Sequence, residues 1–193
     1  LTYSGIFSGP SNFNNLNEFN LGLVNFKDLE TYFGEIQVLH ARRTDILVLQ
    51  EDRISYVLTG KNILTDAIGG GTVTSVPEVL GEQRARIEEY GNSFNPESFA
   101  AWGSEMFFTD TKRGTVLRLR GSSVKNDQLT VISDQGMRSW FRDEFYLALN
   151  TQKLGGYDPY MDEYILATND VSVPFPTPPI PCGTLIEDLT CSQ

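Results

Sequence analysis

The chain has 193 residues, which is enough for one ordinary domain with a hydrophobic core. Hydrophobic residues make up 40% of the sequence, and this share excludes an intrinsically disordered composition. The formal net charge of −10 argues against nucleic acid and anionic membrane surfaces as partners, because both would repel the protein.

Short apolar runs separated by polar turns dominate the region 34–170. With 17 glycines and 9 prolines, this pattern favours a strand-and-turn protein over a helical bundle. The preceding segment, 1–33, is rich in asparagine and phenylalanine, and we expect a loop there with a short helix near 29–33. No apolar run approaches the roughly 20 residues of a membrane helix, so we expect no membrane contact.

The first group of predicted strands covers 35–40 and two further strands within 45–60, which a polar turn joins. The stretch 67–97 that follows reads as an insertion and contains the triple glycine 69–71. This glycine run lacks the Lys-Ser/Thr pair that a phosphate-binding loop needs. We therefore expect a turn there rather than a nucleotide site.

The second group has four predicted strands, at 98–103, 105–110, 115–120 and 129–133. Within it, Leu117 and Leu119 fall on one face of a strand and Arg118 and Arg120 on the other. Gly114 sits where the central hairpin needs a left-handed backbone. The group therefore predicts an antiparallel meander, in which we expect the arginines to be exposed or salt-bridged rather than bound to phosphate.

A helix and a third strand follow. Residues 135–147 predict a short amphipathic helix with Met137, Trp140, Phe141 and Phe145 on one face. After it, the region 155–161 reads as a loop that leads into another apolar strand.

That third strand covers 162–170, so comparable apolar strands begin at Asp45, Glu105 and Asp162, which are 60 and 57 residues apart. This spacing, with about four strands in a unit, is typical of β-propeller blades, and a β-sandwich is the alternative. Three blades cannot close a ring. We therefore expect the remainder in a longer chain or in another protein.

The C-terminal segment, 171–193, is proline-rich and predicts an extended linker or boundary. It carries both cysteines, Cys182 and Cys191, for which free thiols are favoured and a disulfide is the alternative. Zinc is not expected, because the chain has a single histidine, His40, and no CxxC pair.

Catalytic patterns are absent from the sequence. The carboxylates occur mainly as sequence neighbours, which point to opposite faces of a strand and make poor acid–base pairs. The stretch 132–141 approaches the Asp-box of sialidase propellers, with Asp134, Gly136 and Trp140, but its spacing is one residue too long. We expect no catalytic residue, cofactor or bound metal. A cation held by strand-end aspartates is the minor alternative, with candidates Asp110, Asp158, Asp162 and Asp170.

Several uncommon elements follow one another along the chain, at 34–64, 76–81, 89–121, 132–143 and 155–166. The order NPESFA, FFTD, RG-V-RL, GM and WFRD within them is fairly specific. This set resembles large virion structural proteins of tailed bacteriophages that carry propeller-like repeats in the tail, neck or muzzle region. The resemblance implies a non-enzymatic, multi-copy component, such as a homo-oligomeric ring, assembled in the virion with portal, tail or fibre proteins.

Under that interpretation, exposed aromatic side chains would anchor the contacts with neighbouring proteins. The candidates are Trp102, Trp140, Phe141, Tyr157 and Tyr160. Packing in the protein's own core is the alternative for each of them. Two other functions remain open, namely a module that binds a host-receptor glycan and a propeller-type enzyme of the tail that degrades glycans.

Overall fold

The computed structural model describes residues 1–5, 7–8, 13–19, 25–65, 71–149 and 151–172. Within these ranges the chain is mainly β, as the strand-and-turn pattern predicts. The predicted linker covers 171–193, of which 171–172 belong to the last strand, and the part from 173 onward lies outside the described residues, as do Cys182 and Cys191.

The strands are, in chain order, β1 (Phe7–Ser8), β2 (Phe13–Asn14), β3 (Ile36–Ala41), β4 (Asp45–Gln50), β5 (Ile54–Thr65), β6 (Gly71–Ala85), β7 (Ala100–Trp102), β8 (Glu105–Asp110), β9 (Thr115–Arg120), β10 (Gln128–Val131), β11 (Thr151–Asp158) and β12 (Glu163–Ser172). The helix α1 covers Arg138–Leu147, and short 3₁₀ turns cover Thr31–Phe33, Pro96–Ser98 and Ile132–Asp134. The 3₁₀ turn at Thr31–Phe33 matches the short helix expected near the end of the N-terminal segment, whereas the expected loop before it contains the paired strands β1 and β2.

Two four-stranded antiparallel meanders form the body of the structure. The first sheet has the order β3-β4-β5-β6, and the second sheet has β7 to β10 in sequence order. Strands β11 and β12 pair antiparallel as a third unit, called here the third hairpin. Both meanders match the four-stranded antiparallel units predicted from the spacing of the strands, whereas the third predicted unit has only two described strands.

The two sheets pack against each other through their largest buried cluster. The first sheet contributes Leu47, Leu49, Ile54 and Tyr56 to this cluster, and the second sheet contributes Met106, Phe108, Leu117 and Leu119. All eight side chains are at most 2% exposed. The period-two alternation of the strands explains this arrangement, because residues two apart share one face.

The outer faces of both sheets are covered as well. On the first sheet, Val48 and Val57 are buried beneath an N-terminal segment that contributes Leu1, Tyr3 and Leu29. On the second sheet, aromatic side chains pack against the third hairpin, as described below. A strand that is buried on both faces reads as a continuous apolar run, which explains the Ile-Leu-Val-Leu run of β4.

Two segments differ from the sequence-based expectation. The predicted loop at 155–161 is wrong, because 155–158 completes β11 and only 159–162 forms the turn. The region 71–85, predicted as part of an insertion, is strand β6, which pairs with β5 in a hairpin much longer than the first sheet's other strands. Beyond 58, β5 has no partner in β4, so this hairpin extends past the body of the sheet.

The turn predicted at Gly114 is confirmed. The backbone of Gly114 has a φ of +64°, and its N–H donates to the carbonyl of Thr111 at 3.3 Å. The same turn lies directly against helix α1, because a Cβ on Gly114 would stand 2.6 Å from the Cα of Arg142. This glycine therefore serves both the turn and the contact with the helix.

Candidate functional site

Four aromatic rings form a ladder between the second sheet and the third hairpin. The order is Trp102, Tyr157, Phe107 and Tyr164, with centroid separations of 6.1, 5.5 and 5.2 Å. Neighbouring rings are within 12° to 23° of parallel, the stacked arrangement that aromatic pairs favour when they are offset. Within the ladder, exposure rises from the buried Phe107 through Tyr157 to Trp102, which is 56% exposed.

The local structure explains why these rings meet. Trp102 ends β7 and pairs with Glu105 across a tight turn, whereas Tyr157 pairs with Tyr164 across the third hairpin. The Tyr164 hydroxyl donates to the Ser98 carbonyl at 2.7 Å, which fixes the third hairpin against the segment that leads into β7. Burial raises the pKa of Tyr164, so this hydroxyl stays protonated and keeps its donor role.

The end of the sheets that bears Trp102, called here the Trp102 end, carries three of the five predicted anchors. Tyr160 is 95% exposed in the turn after β11, where its backbone N–H donates to the Asp158 carboxylate at 2.8 Å. Tyr157 is half-buried within the ladder. Trp102 and Tyr160 are thus free to meet a partner, while Tyr157 mainly supports Trp102.

The other two predicted anchors lie on helix α1, away from the ladder. Trp140 is 50% exposed and meets Phe141 edge-on at 4.9 Å, and Phe141 in turn packs on the fully buried Phe145. The predicted shared face is therefore only partly correct, because Met137 is 47% exposed and precedes the helix. The five candidates form two separate aromatic patches rather than one surface.

Three carboxylates lie near Tyr157, the ring of the ladder on which Trp102 stacks. The Tyr157 hydroxyl donates to Asp162, whose backbone has a φ of +60°, a left-handed conformation that aspartate tolerates better than most residues. This hydrogen bond, with the negative charge of Glu105 and Asp158, raises the pKa of Tyr157 to about 12. Arg120 offsets part of this charge through its ion pair with Glu105 at 3.3 Å.

Asp110, a predicted candidate for a cation site, is instead fully buried in a protein network. Its carboxylate accepts from the Gly91 N–H at 3.1 Å, the Ser93 hydroxyl at 2.7 Å and the Arg113 Nη1 at 2.9 Å. These bonds fix the connection 86–99, which links the two sheets, to the end of β8. Among the described residues, no group of three or more His, Cys, Asp or Glu side chains could hold a metal ion.

A buried ion cluster joins the two sheets at the Trp102 end. Arg42 donates to Asp45 at 2.7 Å and to Asp127, from the turn after β9, at 2.6 Å. Its guanidinium also lies over the Tyr56 ring, 5.0 Å from the centroid. Sequence reasoning missed this cluster, because its members come from two different sheets.

At the end of the sheets opposite Trp102, the basic residues of the β8–β9 turn also form ion pairs with carboxylates. Lys112 contacts Glu51 at 2.9 Å and Asp52 at 3.3 Å, which connects the turns of the two sheets. A cavity of about 500 Å³ beside this turn is lined by the residues Glu89, Tyr90, Arg113, Gly114, Thr115, Arg138 and Arg142. Its arginines also have carboxylate partners, so it offers no concentrated positive charge.

His40, the single histidine of the chain, lies in β3 with its ring 5.4 Å from that of Phe99. Burial, together with the positive charge of Arg42, lowers the pKa of His40 below the ordinary 6.5. As the pH falls, the His40 imidazole is therefore protonated at a higher pH in the unfolded chain than in the folded chain. We expect the His40 contribution to stability to be complete above about pH 6.5 and to decrease at lower pH.

An NMR titration of the His40 ring should thus give a midpoint below 6.5. Carboxylates also titrate at low pH, so the control compares the wild type with His40→Asn by urea unfolding at about pH 7 and about pH 5. The wild type should lose more stability between the two conditions than the variant does. Equal losses of stability in the wild type and the variant would contradict a lowered pKa of His40.

No helix among the described residues is long and apolar enough to cross a membrane. The comparisons with known proteins place the chain in no group: no family model matches it, and no curated protein shows significant similarity.

Proposed function

We propose that the chain is a structural component of a tailed-phage virion, placed in the tail or neck, where its stacked sheets form a rigid platform for protein–protein contacts. The resemblance of the stretches between 34 and 166 supplies the kind of particle. The geometry supports contact with other proteins as the mode of action, since the described residues present exposed aromatic side chains on a framework held by ion pairs and hydrogen bonds.

The observation that carries the proposal is the aromatic ladder. Exposed Trp and Tyr side chains are over-represented among residues that dominate binding energy at interfaces. Trp102 is held by Tyr157, which is itself held by the buried Phe107, so binding would cost little further ordering of the ring. A ring fixed in this way suits repeated, geometrically identical contacts within a particle.

One alternative has a specific observation in its favour. An exposed ring beside carboxylates can also receive the apolar face of a sugar, while the carboxylates accept hydrogen bonds from its hydroxyls. Trp102, with Asp158 and Asp162 close to Tyr157, therefore also suits a module that binds a neutral glycan. Such a module would present the Trp102 end to the outside of the particle rather than to a neighbouring protein.

Cryo-electron microscopy of the intact particle that contains this polypeptide tests the proposal directly. We expect density for the chain in a ring at the tail or neck, with the aromatic patches packed against other virion proteins. An outward-facing Trp102 end at a fibre tip would favour the glycan module. Absence of the chain from purified particles would contradict the proposal.

The aromatic patch on helix α1 allows a test by mutation. Trp140→Ala should reduce incorporation into particles about tenfold or more, since interface anchors typically contribute 2 kcal/mol or more, while the isolated protein still folds. Tyr32→Ala, at a ring that is 87% exposed and lies outside both patches, is the matched control. Incorporation is measured by quantitative mass spectrometry of particles. Unfolding of the Trp140 variant would assign Trp140 to the core instead.

A further inference from the structure

We propose that the exposed face of Trp102 is a docking site for a cationic side chain, such as an arginine of a basic segment on a partner protein. This inference rests on the proposed function and names the chemical class of partner that the Trp102 end would accept.

Ring geometry is the first argument. Tryptophan is the best of the aromatic side chains at receiving a cation on its face. Tyr157 stacks on one side of Trp102 at 6.1 Å, with only 23° between the rings, and Trp102 is 56% exposed. The position of the ring is therefore set before a partner arrives, which reduces the entropic cost of binding.

The sign of the charge around the ring is the second argument. Glu105 is the cross-strand neighbour of Trp102, and the carboxylates of Asp158 and Asp162 lie near the Tyr157 hydroxyl. In the part of the chain that the structure describes, Glu105 is the one of these three with a cationic partner, namely Arg120, whose side chain is 62% exposed. Negative charge beside Tyr157, on which the exposed indole of Trp102 stacks, favours a cation and disfavours an anionic group.

Charge and shape together separate a basic protein segment from a neutral glycan. A guanidinium gains from the indole face and from the carboxylates at the same time, and arginine stacks on aromatic rings more often than lysine does. A neutral sugar can donate hydrogen bonds to the carboxylates, but it gains no net Coulombic attraction. The net negative charge therefore favours the cation.

The experiment uses the full chain labelled with ¹⁵N at tryptophan. The chain has two tryptophans, so the spectrum contains two indole N–H signals, which Trp102→Phe assigns. The probe is a five-residue peptide with two arginines, capped at both ends, and its neutral control carries citrulline in place of arginine. We expect saturable shifts of the Trp102 signal with the arginine peptide. Isothermal titration calorimetry, which does not need the indole signal, should give an affinity about tenfold lower for Trp102→Ala.

Two further comparisons separate the contributions of ring and charge. Asp158→Asn removes one charge yet keeps an acceptor for the Tyr160 N–H, and it should weaken binding about threefold. Raising the salt concentration from about 50 mM to about 500 mM should weaken it as well. Trp140, 50% exposed on α1, is the internal control, and its signal should not respond.

Several outcomes would overturn the inference. Equal binding of the citrulline peptide would remove the role of charge, and equal shifts of both tryptophans would indicate non-specific contact. Binding of a neutral trisaccharide in place of the arginine peptide would assign the site to glycans. Electron microscopy of the particle separates a failure of this inference from a failure of the proposed function. If the chain lies in a tail ring but does not bind the arginine peptide, the structural role stands and only the cationic partner is rejected.

Discussion

Asp127→Ala should lower the free energy of unfolding by about 3 kcal/mol, because it removes one carboxylate from a buried ion cluster that spans both sheets. The side chains of Arg42 and Asp127 are only 6% and 0% exposed, and their contact measures 2.6 Å. Asp45 remains as a partner for Arg42, so the loss should fall near the lower end of the range for a broken buried pair. Urea unfolding followed by circular dichroism measures the change.

A matched control lies on helix α1, where Arg142 and Asp143 form an ion pair at 2.9 Å with both side chains more than 60% exposed. Asp143→Ala should change the unfolding free energy by less than about 0.5 kcal/mol, since exposed pairs contribute little. Similar effects of the two substitutions would mean that burial does not govern the Arg42 cluster. The connection between the sheets would then depend on apolar packing alone.

Gly114→Val should be about as destabilising, with an expected loss of about 3 kcal/mol from two additive causes. A β-branched residue at a φ of +64° adopts an unfavourable backbone conformation, which costs about 1–2 kcal/mol. The added Cβ would also stand 2.6 Å from the Cα of Arg142, so the turn and helix α1 must move apart. Thermal unfolding of the purified variant measures the sum.

Gly103→Val separates these two causes. Gly103 has a similar φ of +59°, but no atom lies within 4 Å of the position of an added Cβ. Its substitution should therefore show the backbone cost alone, and the difference between the two variants reports the contact between the turn and the helix. Equal melting temperatures for the two variants would show that the helix yields without cost.

The repeated meander could be predicted from sequence because local rules suffice for it. Alternation placed Leu117 and Leu119 on the face that proved to be buried, and Gly114 marked the tight turn between β8 and β9. The residues that form each hairpin are close in sequence, so turn chemistry and the period of two determine most of the pairing.

Two predictions of secondary structure were wrong, each for a physical reason. Glycine and proline made 155–161 look like a loop, yet the backbone of 155–158 pairs with β12. The stretch 67–97 was likewise predicted as an insertion, whereas 71–85 is strand β6, in which Gly71 already pairs with Thr65. In both places, hydrogen bonding to a neighbouring strand overrides the local preference of glycine.

Only part of the candidate site could be predicted from the sequence. Trp102, Tyr157 and Tyr160 could be selected as large aromatic residues near turns, but their contacts depend on how the third hairpin packs against the second sheet. Phe107 and Tyr164, which complete the ladder, were not selected, because nothing local distinguishes a ring beneath an exposed aromatic patch from any other core ring.

The stacking of the sheets in chain order also affects the way this protein leaves the ribosome. The first sheet, 36–85, is synthesised before strands β8 and β9, which cover its inner face. Until 120 has emerged, Leu47, Leu49 and Ile54 have no partner from the second sheet, and the nascent chain exposes an apolar β surface. This interval between translation of the two sheets is when chaperone binding competes with aggregation, so slower synthesis across 86–120 should lower the yield of soluble protein.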